Sequence, residues 1–413
     1  MENRTFDVAV AGGGVAGCAA ALQAARKGRK TVLLEKSVFL GGLATAGLIY
    51  VYLPLCDGNG RQVTFGMAEE FMRNSITMGP GDIPRDWNDL GNPKHPRFRC
   101  IFSPASFMLT IEELLLEAGV EIWYDTLVRD CIVENNTLKS AIVENESGSL
   151  RIDADCFIDA SGSAILARRA GVPCTAGQNY ISVWAMEYSK GMQGGLTVGI
   201  KPFTFTTYGF DQECKIHMKE EDRQQLYPGL DEEQLREQVV TSGSDGRTVS
   251  NYVLETHRIL RWHYRQQNNR CETFPLTLSA MPQFRTIYSI NGEYVLDSED
   301  YGKTFDDSVG LVADWRKPGY VWEIPYRALL PQGHFGGLLS SGRCISSIRD
   351  AWEVTRVIPP AVMTGQVAGL AAALASERHC QPWQIPYGDL RDALAKMGFQ
   401  FHFADRTGGK ILS

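Results

Sequence analysis

One short stretch near the start of the chain constrains its fold more than any other. A Val/Ala-rich run, FDVAVA (6–11), breaks into GGGVAG (12–17), a helical stretch CAAALQAARKG follows, and a second apolar run, TVLLEK (31–36), comes next. Strand, glycine turn, helix, strand is the β-α-β unit of a parallel sheet, because parallel neighbours need a crossover between them. Gly28 closes the helix. Gly12, Gly14 and Gly17 stand at GxGxxG spacing. The first permits the tight turn, the second lets a pyrophosphate approach the backbone, and the third lets helix and strand pack closely. The helix start behind them offers free N–H groups and the positive end of its dipole. Glu35 ends the second strand, 23 residues after Gly12. A carboxylate there accepts hydrogen bonds from an adenosine ribose diol and repels a 2′-phosphate. A glycine turn serving packing alone explains the three glycines singly; strand, helix, second strand and terminal acid in register favour dinucleotide binding, with NAD and FAD both open on this motif.

The length, 413 residues, suggests two or three structural units around a sizeable core. Hydrophobic residues make up 44% and charged residues 22%, and no run of eighteen is uniformly apolar, so neither a disordered nor a membrane-spanning chain is expected. Lys plus Arg (41) against Asp plus Glu (48) leaves a net charge of −7 without a basic block, which argues against nucleic acid or an anionic membrane as partner. The 10 cysteines are scattered and form no CxxC pair. That excludes the spacing of an iron-sulfur, zinc or dithiol site, and no metal is expected. Buried reduced thiols point to the cytoplasm. The apolar start, Phe6 to Ala25, lacks the cationic segment and cleavage site of an export signal.

After Glu35 comes the glycine-rich FLGGLATAGL (39–48), then an irregular Pro/Gly/Asp-rich stretch (79–96) and a helix pattern, ASFMLTIEELLLEAG. Three alternating segments, EIWYDTLVRDCIVENN, TLKSAIVENESG and SLRIDADCFIDAS, read as an antiparallel meander leading back to the main sheet. A helix, AILARRAG, follows Ser161-Gly162-Ser163. From about Pro173 to Gly310 the character changes to aromatic and Thr-rich strand candidates (TFTTYGF, CETFPLTLSAM), an acidic helical stretch (219–240) and a helix pattern from Tyr252 to Gln267. From Tyr320 the aliphatic pattern returns, with FGGLLSSGRCIS as strand and turn and PPAVMTGQVAGLAAALASER as a small-residue helix. The expected fold is α/β: a Rossmann-like domain with a parallel sheet and a β-meander, formed by 1–173 and completed by 311–377, an inserted α+β substrate domain at 174–310, and a tail at 378–413.

FLGGLATAGL, FIDASGSAILARRAGVP, MPQFRTIYSINGEY, IPYRALLP, LLSSGRCIS and RVIPPAVMTGQVAGLAAALA resemble, in order, successive blocks of the FAD-dependent oxidoreductase family. Its flavin fold is similar to that of fumarate reductase and succinate dehydrogenase flavoproteins, and the resemblance spans about residues 6–375. It implies that Gly12, Gly14 and Gly17 hold the FAD pyrophosphate and Glu35 the adenosine ribose. It implies further that Gly41, Gly42 and Thr45 line the pyrophosphate and ribityl region, that Val128 contacts adenine through its main chain, and that Ser161 and Gly162 lie beside the adenosine half. Gly342 and Arg343 stand where many relatives carry Gly-Asp or Gly-Glu, whose acid binds ribityl hydroxyls; arginine accepts no hydrogen bond, although this family itself typically shows Gly-Arg-Cys. No histidine occurs between Leu40 and Leu55, so covalent attachment by that route is not expected. The small residues of GQVAGLAAALA would let the last helix pack tightly on sheet and cofactor, its start favouring a reduced, anionic flavin.

Flavin chemistry asks the protein to hold a carbon over the ring and to move a proton. The candidates are Arg349, Asp350 and Arg356 between the GRC turn and the final helix, with Arg285 from the substrate domain; an arginine there clamps an anionic group. His257, Arg261 and Tyr264 share one helix face, better explained by packing or solvation. His334 reads as exposed, Cys344 as a packed thiol, and Asp314 and Trp315 as weak candidates for the cleft. The expected function is hydride transfer between a small organic substrate and noncovalent FAD, with a separate electron acceptor. A flavin monooxygenase and an electron-transfer subunit of a larger complex are the alternatives.

Overall fold

The structure is a computed structural model and describes residues 2–59, 61–80, 100–192, 199–207 and 218–407. The irregular 79–96 stretch lies almost entirely outside them, as do the last three residues of TFTTYGF.

The β-α-β unit forms as β1 (Glu2–Ala11), α1 (Val15–Arg26) and β2 (Thr31–Leu34), with the two strands parallel, Val8 beside Thr31 and Ala11 beside Leu34. Next come α2 (Pro104–Glu117), β3 (Glu121–Trp123), β4 (Leu127–Glu134), β5 (Thr137–Asn145) and β6 (Gly148–Asp159). The expected first meander segment, 121–136, is two strands. Asp125 adopts φ +48, a conformation short polar side chains tolerate. Its N–H donates to Ser37 O at 3.2 Å, and Thr126 N–H donates to Glu35 O at 3.0 Å. The break leaves β3 on the parallel sheet beside β2 and sends β4 into the meander.

A second body of secondary structure follows: β7 (Ser182–Ser189), β8 (Ile200–Thr206), α3 (Gly246–Arg265) and β9 (Thr273–Leu278). These strands form an antiparallel sheet in the order β8-β7-β9. Helix α3 begins six residues before the apolar pattern. Asp245 is its N-cap, accepting from the N–H groups of Arg247 and Thr248 at 2.9 and 3.0 Å, and Thr248 completes a capping box. The acidic stretch is two helices, Glu220–Leu226 and Glu232–Val239, separated around Pro228-Gly229. Val183 and Ala185 of β7 join Tyr252, Ile259 and Leu260 of α3 in a core of their own, whereas Met186 belongs to the main core.

The chain then returns to the main body as the hairpin β10 (Ser308–Ala313) and β11 (Val321–Pro325), strand β12 (Leu338–Ser340), and helices α4 (Arg349–Thr355) and α5 (Ile358–Arg378). The central sheet runs β3-β2-β1-β6-β5-β4. Twelve-residue β6 serves two partners beyond β1: Gly148–Asp153 pairs β5 antiparallel, and Phe157–Asp159 pairs β12 parallel. Helices α1 and α5 lie together on the sheet, and the small-residue face of α5 meets α1. A Cβ at Gly365 would stand 2.1 Å from Ala16 O, and one at Gly369 2.2 Å from Ala20 O. Two glycines one turn apart thus match two carbonyls one turn apart, at a separation only glycine permits. Helix α5 is long and apolar enough to cross a membrane, but its apolar stretch is wholly buried in the chain's own core.

Candidate functional site

The carboxyl ends of β1, β2, β6 and β12 converge with the start of α1, the place where parallel α/β sheets bind ligands. Close approach explains the glycines. A Cβ at Gly17 would lie 1.8 Å from Gly12 O, and one at Gly12, whose φ is +101, would lie 2.6 Å from Ala160 O. Gly14, the N-cap of α1, differs: a Cβ there meets nothing within 4 Å, and no side chain caps the helix. This is open space before a run of free N–H groups, the arrangement that receives a phosphate. The second glycine loop is fastened to the first, since Gly41 N–H donates to Gly13 O at 2.7 Å and a Cβ at Gly42 would stand 3.0 Å from Gly14 Cα. Thr45 is buried and spends its hydroxyl on Leu40 O.

Glu35 is buried at the end of β2. Its Oε2 accepts from Gly13 N–H at 2.6 Å, and its Oε1 from the backbone N–H and hydroxyl of Ser37 at 2.8 and 2.7 Å. A carboxylate has about four acceptor positions, so one remains on Oε2, and a diol engaging both oxygens displaces Ser37. Val128 is buried near the head of β4, two residues beyond Thr126, which binds the Glu35 carbonyl.

Asp159 closes β6 as Glu35 closes β2, and sequence reasoning passed over it although an acid ending an apolar run marks both. Its Oδ1 accepts from the Ser161 hydroxyl at 2.6 Å and N–H at 3.1 Å, and its Oδ2 from Ala167 N–H at 3.0 Å. Burial raises its pKa against these bonds. The acid therefore shapes the Ser161-Gly162 turn from beneath. Ser341, at the end of β12, was also missed: it is fully buried and its Oγ has no hydrogen-bond partner. Beside it, a Cβ at Gly342 would stand 2.7 Å from Ala16 Cβ in the first turn of α1.

Arg343 does not occupy the position of a hydroxyl-binding acid by reach alone; it has its own partners. Its guanidinium lies against Gly162, where a Cβ would be 2.1 Å from Nη2, and its Nη1 donates to Phe284 O. Arg285 donates through Nη2 to Ser182 Oγ at 3.0 Å. Arg356 pairs with Glu353. Burial pushes the Glu353 carboxyl up, but Arg356, Arg285 and Arg316 together hold it below the usual carboxylate range. The structure thus places Arg343 against Phe284, beside Arg285 in the chain, and Arg356 on Glu353. It does not bring Arg349 among them: that side chain is 66% exposed, with Asp297 at 3.5 Å.

Of the remaining candidates Trp315 stays beside the Arg356–Glu353 pair, and the others disperse. Asp350 is buried and pairs, with Asp314, around Arg316 at 2.8 and 2.9 Å, while Trp315 Nε1 donates to Glu353 O. His257 lines a cavity of about 130 Å³ beneath residues 278–283; Arg261 lines a different, open groove; Tyr264 packs beside His263 and Phe203. His334 is exposed and stacks on Trp383. Cys344 is a buried thiol whose pKa burial raises. At the start of α5, Pro359 and Pro360 carry no N–H, so that end presents its dipole with two donors fewer than an ordinary helix. Among the described residues no group of His, Cys, Asp and Glu could hold a metal.

A glycine turn ending a parallel strand, an uncapped helix start and an acid closing the neighbouring strand define a Rossmann-type dinucleotide-binding protein. Open space at Gly14, the buried Glu35 carboxylate and the orphaned Ser341 Oγ fit the phosphate, ribose and hydroxyl groups of such a cofactor. The chain belongs to the FAD dependent oxidoreductase family, whose model matches residues 7–394. It is accordingly an FAD-dependent flavoprotein enzyme. A search of curated proteins finds no match. Among solved structures the chain is similar to a geranylgeranyl bacteriochlorophyll reductase-like protein from Thermoplasma acidophilum, at 14% identity and TM-score 0.49, covering 98% of this chain and 87% of that one. It is also similar to a flavin-dependent brominase, at 13% identity and TM-score 0.47 over 95% and 84% of the two chains. A myxobacterial chondrochloren halogenase gives 13% identity and TM-score 0.41 over 95% and 78%.

Proposed function

We propose that the protein transfers a hydride between a small organic substrate and noncovalently held FAD, with a separate acceptor or donor resetting the cofactor. Bound FAD supplies a ring atom that takes or gives the hydride. The chain's residues do the rest. Gly12, Gly14 and Gly17 bring the phosphate to the start of α1, Glu35 holds the adenosine ribose, and the backbone at Val128 borders the adenine. Gly41, Gly42 and Thr45 form the second wall, facing the turns at Ser161-Gly162 and Gly342. Arg285, from the second body, and Arg356, from the end of α4, bind and orient the substrate. In this reading 1–173 and 311–377 form the cofactor domain, 174–310 the substrate domain and 378–413 a tail, and the protein works in the reducing cytoplasm.

One observation carries the proposal: the Glu35 carboxylate and the open N-terminus of α1 are joined through Gly13, so that ribose and phosphate sites are one piece of structure. The test is to purify the protein, release any yellow cofactor with acid, and identify it, then to mix the oxygen-free holoprotein with hydroxy acids, amino acids and sugars. Bleaching of the flavin band by one class, reversed by an added acceptor, is the expected result. A flavin bleached by none of them but reduced by NAD(P)H in step with oxygen uptake would assign the chain to monooxygenation.

A further inference from the structure

The second glycine loop, 39–48, is tied at both ends. At one end Gly41 N–H donates to Gly13 O at 2.7 Å. At the other, the second body holds two successive carbonyls. Ala280 N–H donates to Ala46 O at 2.9 Å and Ser279 Oγ to the same oxygen at 3.1 Å, while Gln283 Nε2 donates to Gly47 O. Gln283 has a further engagement. Strand β9 pairs its last residue, Leu278, with Ala185 of β7 and then leaves the sheet, so the neighbouring Trp184 lacks a ladder partner on that side. The Gln283 side chain takes that place, its Oε1 accepting from Trp184 N–H at 2.8 Å and its Nε2 donating to Trp184 O at 3.2 Å. A primary amide carries one acceptor oxygen and two N–H donors, and here all are used: the oxygen and one donor on the strand, the other donor on the loop. Gln283 is only 2% exposed and Gly47 is buried. A carboxylate in this position would accept only, and an asparagine would stop one methylene short.

Resting on the FAD reading above, in which Gly41, Gly42 and Thr45 wall the cofactor, we infer that Gln283 is a positioning residue for that pocket: its amide sets the Thr45–Gly47 end of the wall from strand β7 of the second body. The Gly41–Gly42 end has its own anchorage, since Gly41 is bonded to Gly13 and a Cβ at Gly42 would stand 3.0 Å from Gly14 Cα. Removing the amide therefore frees one end of the wall and not the other. Trp184 and Gly47 lose buried hydrogen bonds that only water can replace, and admitting water parts the loop from the strand. The displacement falls on the ribityl and ring side of the cofactor, with the phosphate turn unmoved.

The experiment compares the yellow full-length protein with Q283L, Q283E and E187A by the flavin absorption band, the visible circular dichroism of the flavin and the melting temperature. Glu187 stands three residues beyond Trp184 on β7, and its ion pairs go to His263 and Lys201, so E187A weakens the second body without touching the loop. Q283L should keep FAD within about threefold of the wild-type affinity while its absorption band shifts and its dichroism changes. Q283E should depart furthest, since an ionised carboxylate donates to neither carbonyl, and should return toward wild type as falling pH gives it a proton to donate. E187A should melt lower with an unaltered flavin signature. Should Q283L fail to fold, Q283N, which keeps the amide and loses its reach, carries the same comparison. A wild-type signature in Q283L and Q283E, or an E187A protein that displaces it equally, would overturn the proposal alone. So would a folded Q283L protein that sheds FAD, since the amide would then serve affinity rather than position. A wild-type protein without flavin would overturn the underlying reading and the proposal with it.

Discussion

Glu35 ties the glycine turn to β2 through Gly13, and under the proposed function it also holds the adenosine ribose. Glu35→Ala therefore removes the ribose acceptor and leaves a buried N–H without a partner. FAD affinity should fall by about one to two powers of ten, from the ~1.5–3 kcal/mol of a charge-assisted hydrogen bond, as measured by titrating apoprotein with FAD and following flavin fluorescence. Glu187 sets a different dependence. Only 1% of its side chain is exposed, and burial pushes its pKa up, but His263 at 3.0 Å and Lys201 at 3.1 Å hold it below the usual carboxylate range. A folded-state pKa below the unfolded one means stability that is present above the unfolded value, near pH 4.5, and is lost as pH falls through the folded one. Glu187→Ala should cost about 3 kcal/mol at neutral pH, at the low end for breaking a buried pair because both partners are partly solvated, and should flatten the acid limb of the stability profile. At this scale Glu35 was legible in the sequence because an acid ending an apolar strand is visible in one dimension. Asp159 carries the same mark, yet its bonds to Ser161 and Ala167 depend on a turn that only the folded chain makes. The bond from Arg343 to the Phe284 carbonyl joins positions 59 residues apart, which no local pattern contains.

Among the elements, the α1–α5 contact is the most demanding, because two glycines of one helix rest on two carbonyls of the other. Gly365→Ala places a methyl 2.1 Å from Ala16 O, against backbone rather than a yielding side chain. A loss of about 3 kcal/mol is expected, measured by denaturant midpoint at constant slope. Gly388→Ala is the contrast: it sits in the helix Tyr387–Ala395, where an added Cβ meets nothing within 4 Å. It should raise stability by about 0.5–1 kcal/mol through helix propensity and a less flexible unfolded chain. The small-residue run announced tight packing on sheet and cofactor; the closest contacts of its glycines are with α1. Elsewhere, alternation gave the meander strands while hiding the break at Asp125, which is set by tertiary bonds to Ser37 and Glu35. The early start of α3 was readable in principle, since Asp245 followed three residues later by Thr248 is a capping pair.

At the scale of the whole molecule, one core forms around α1, α5 and the central sheet, and another between β7 and α3, so occupancy of the crevice should govern the stability of the first more than of the second. FAD at a thousandfold excess over its dissociation constant should add about 4 kcal/mol to the unfolding free energy. Stripping it should lower the melting temperature of the main body and leave any separate transition of the second body nearly unmoved, which calorimetry of holoprotein and apoprotein would resolve. The measurement that bears most directly on the whole account is the absorption spectrum of the purified protein together with the identity of the compound released by acid. One FAD per chain, freed without proteolysis and held more weakly on Glu35→Ala, is the expected result; a colourless protein that takes up neither FAD nor any other adenine dinucleotide would contradict it.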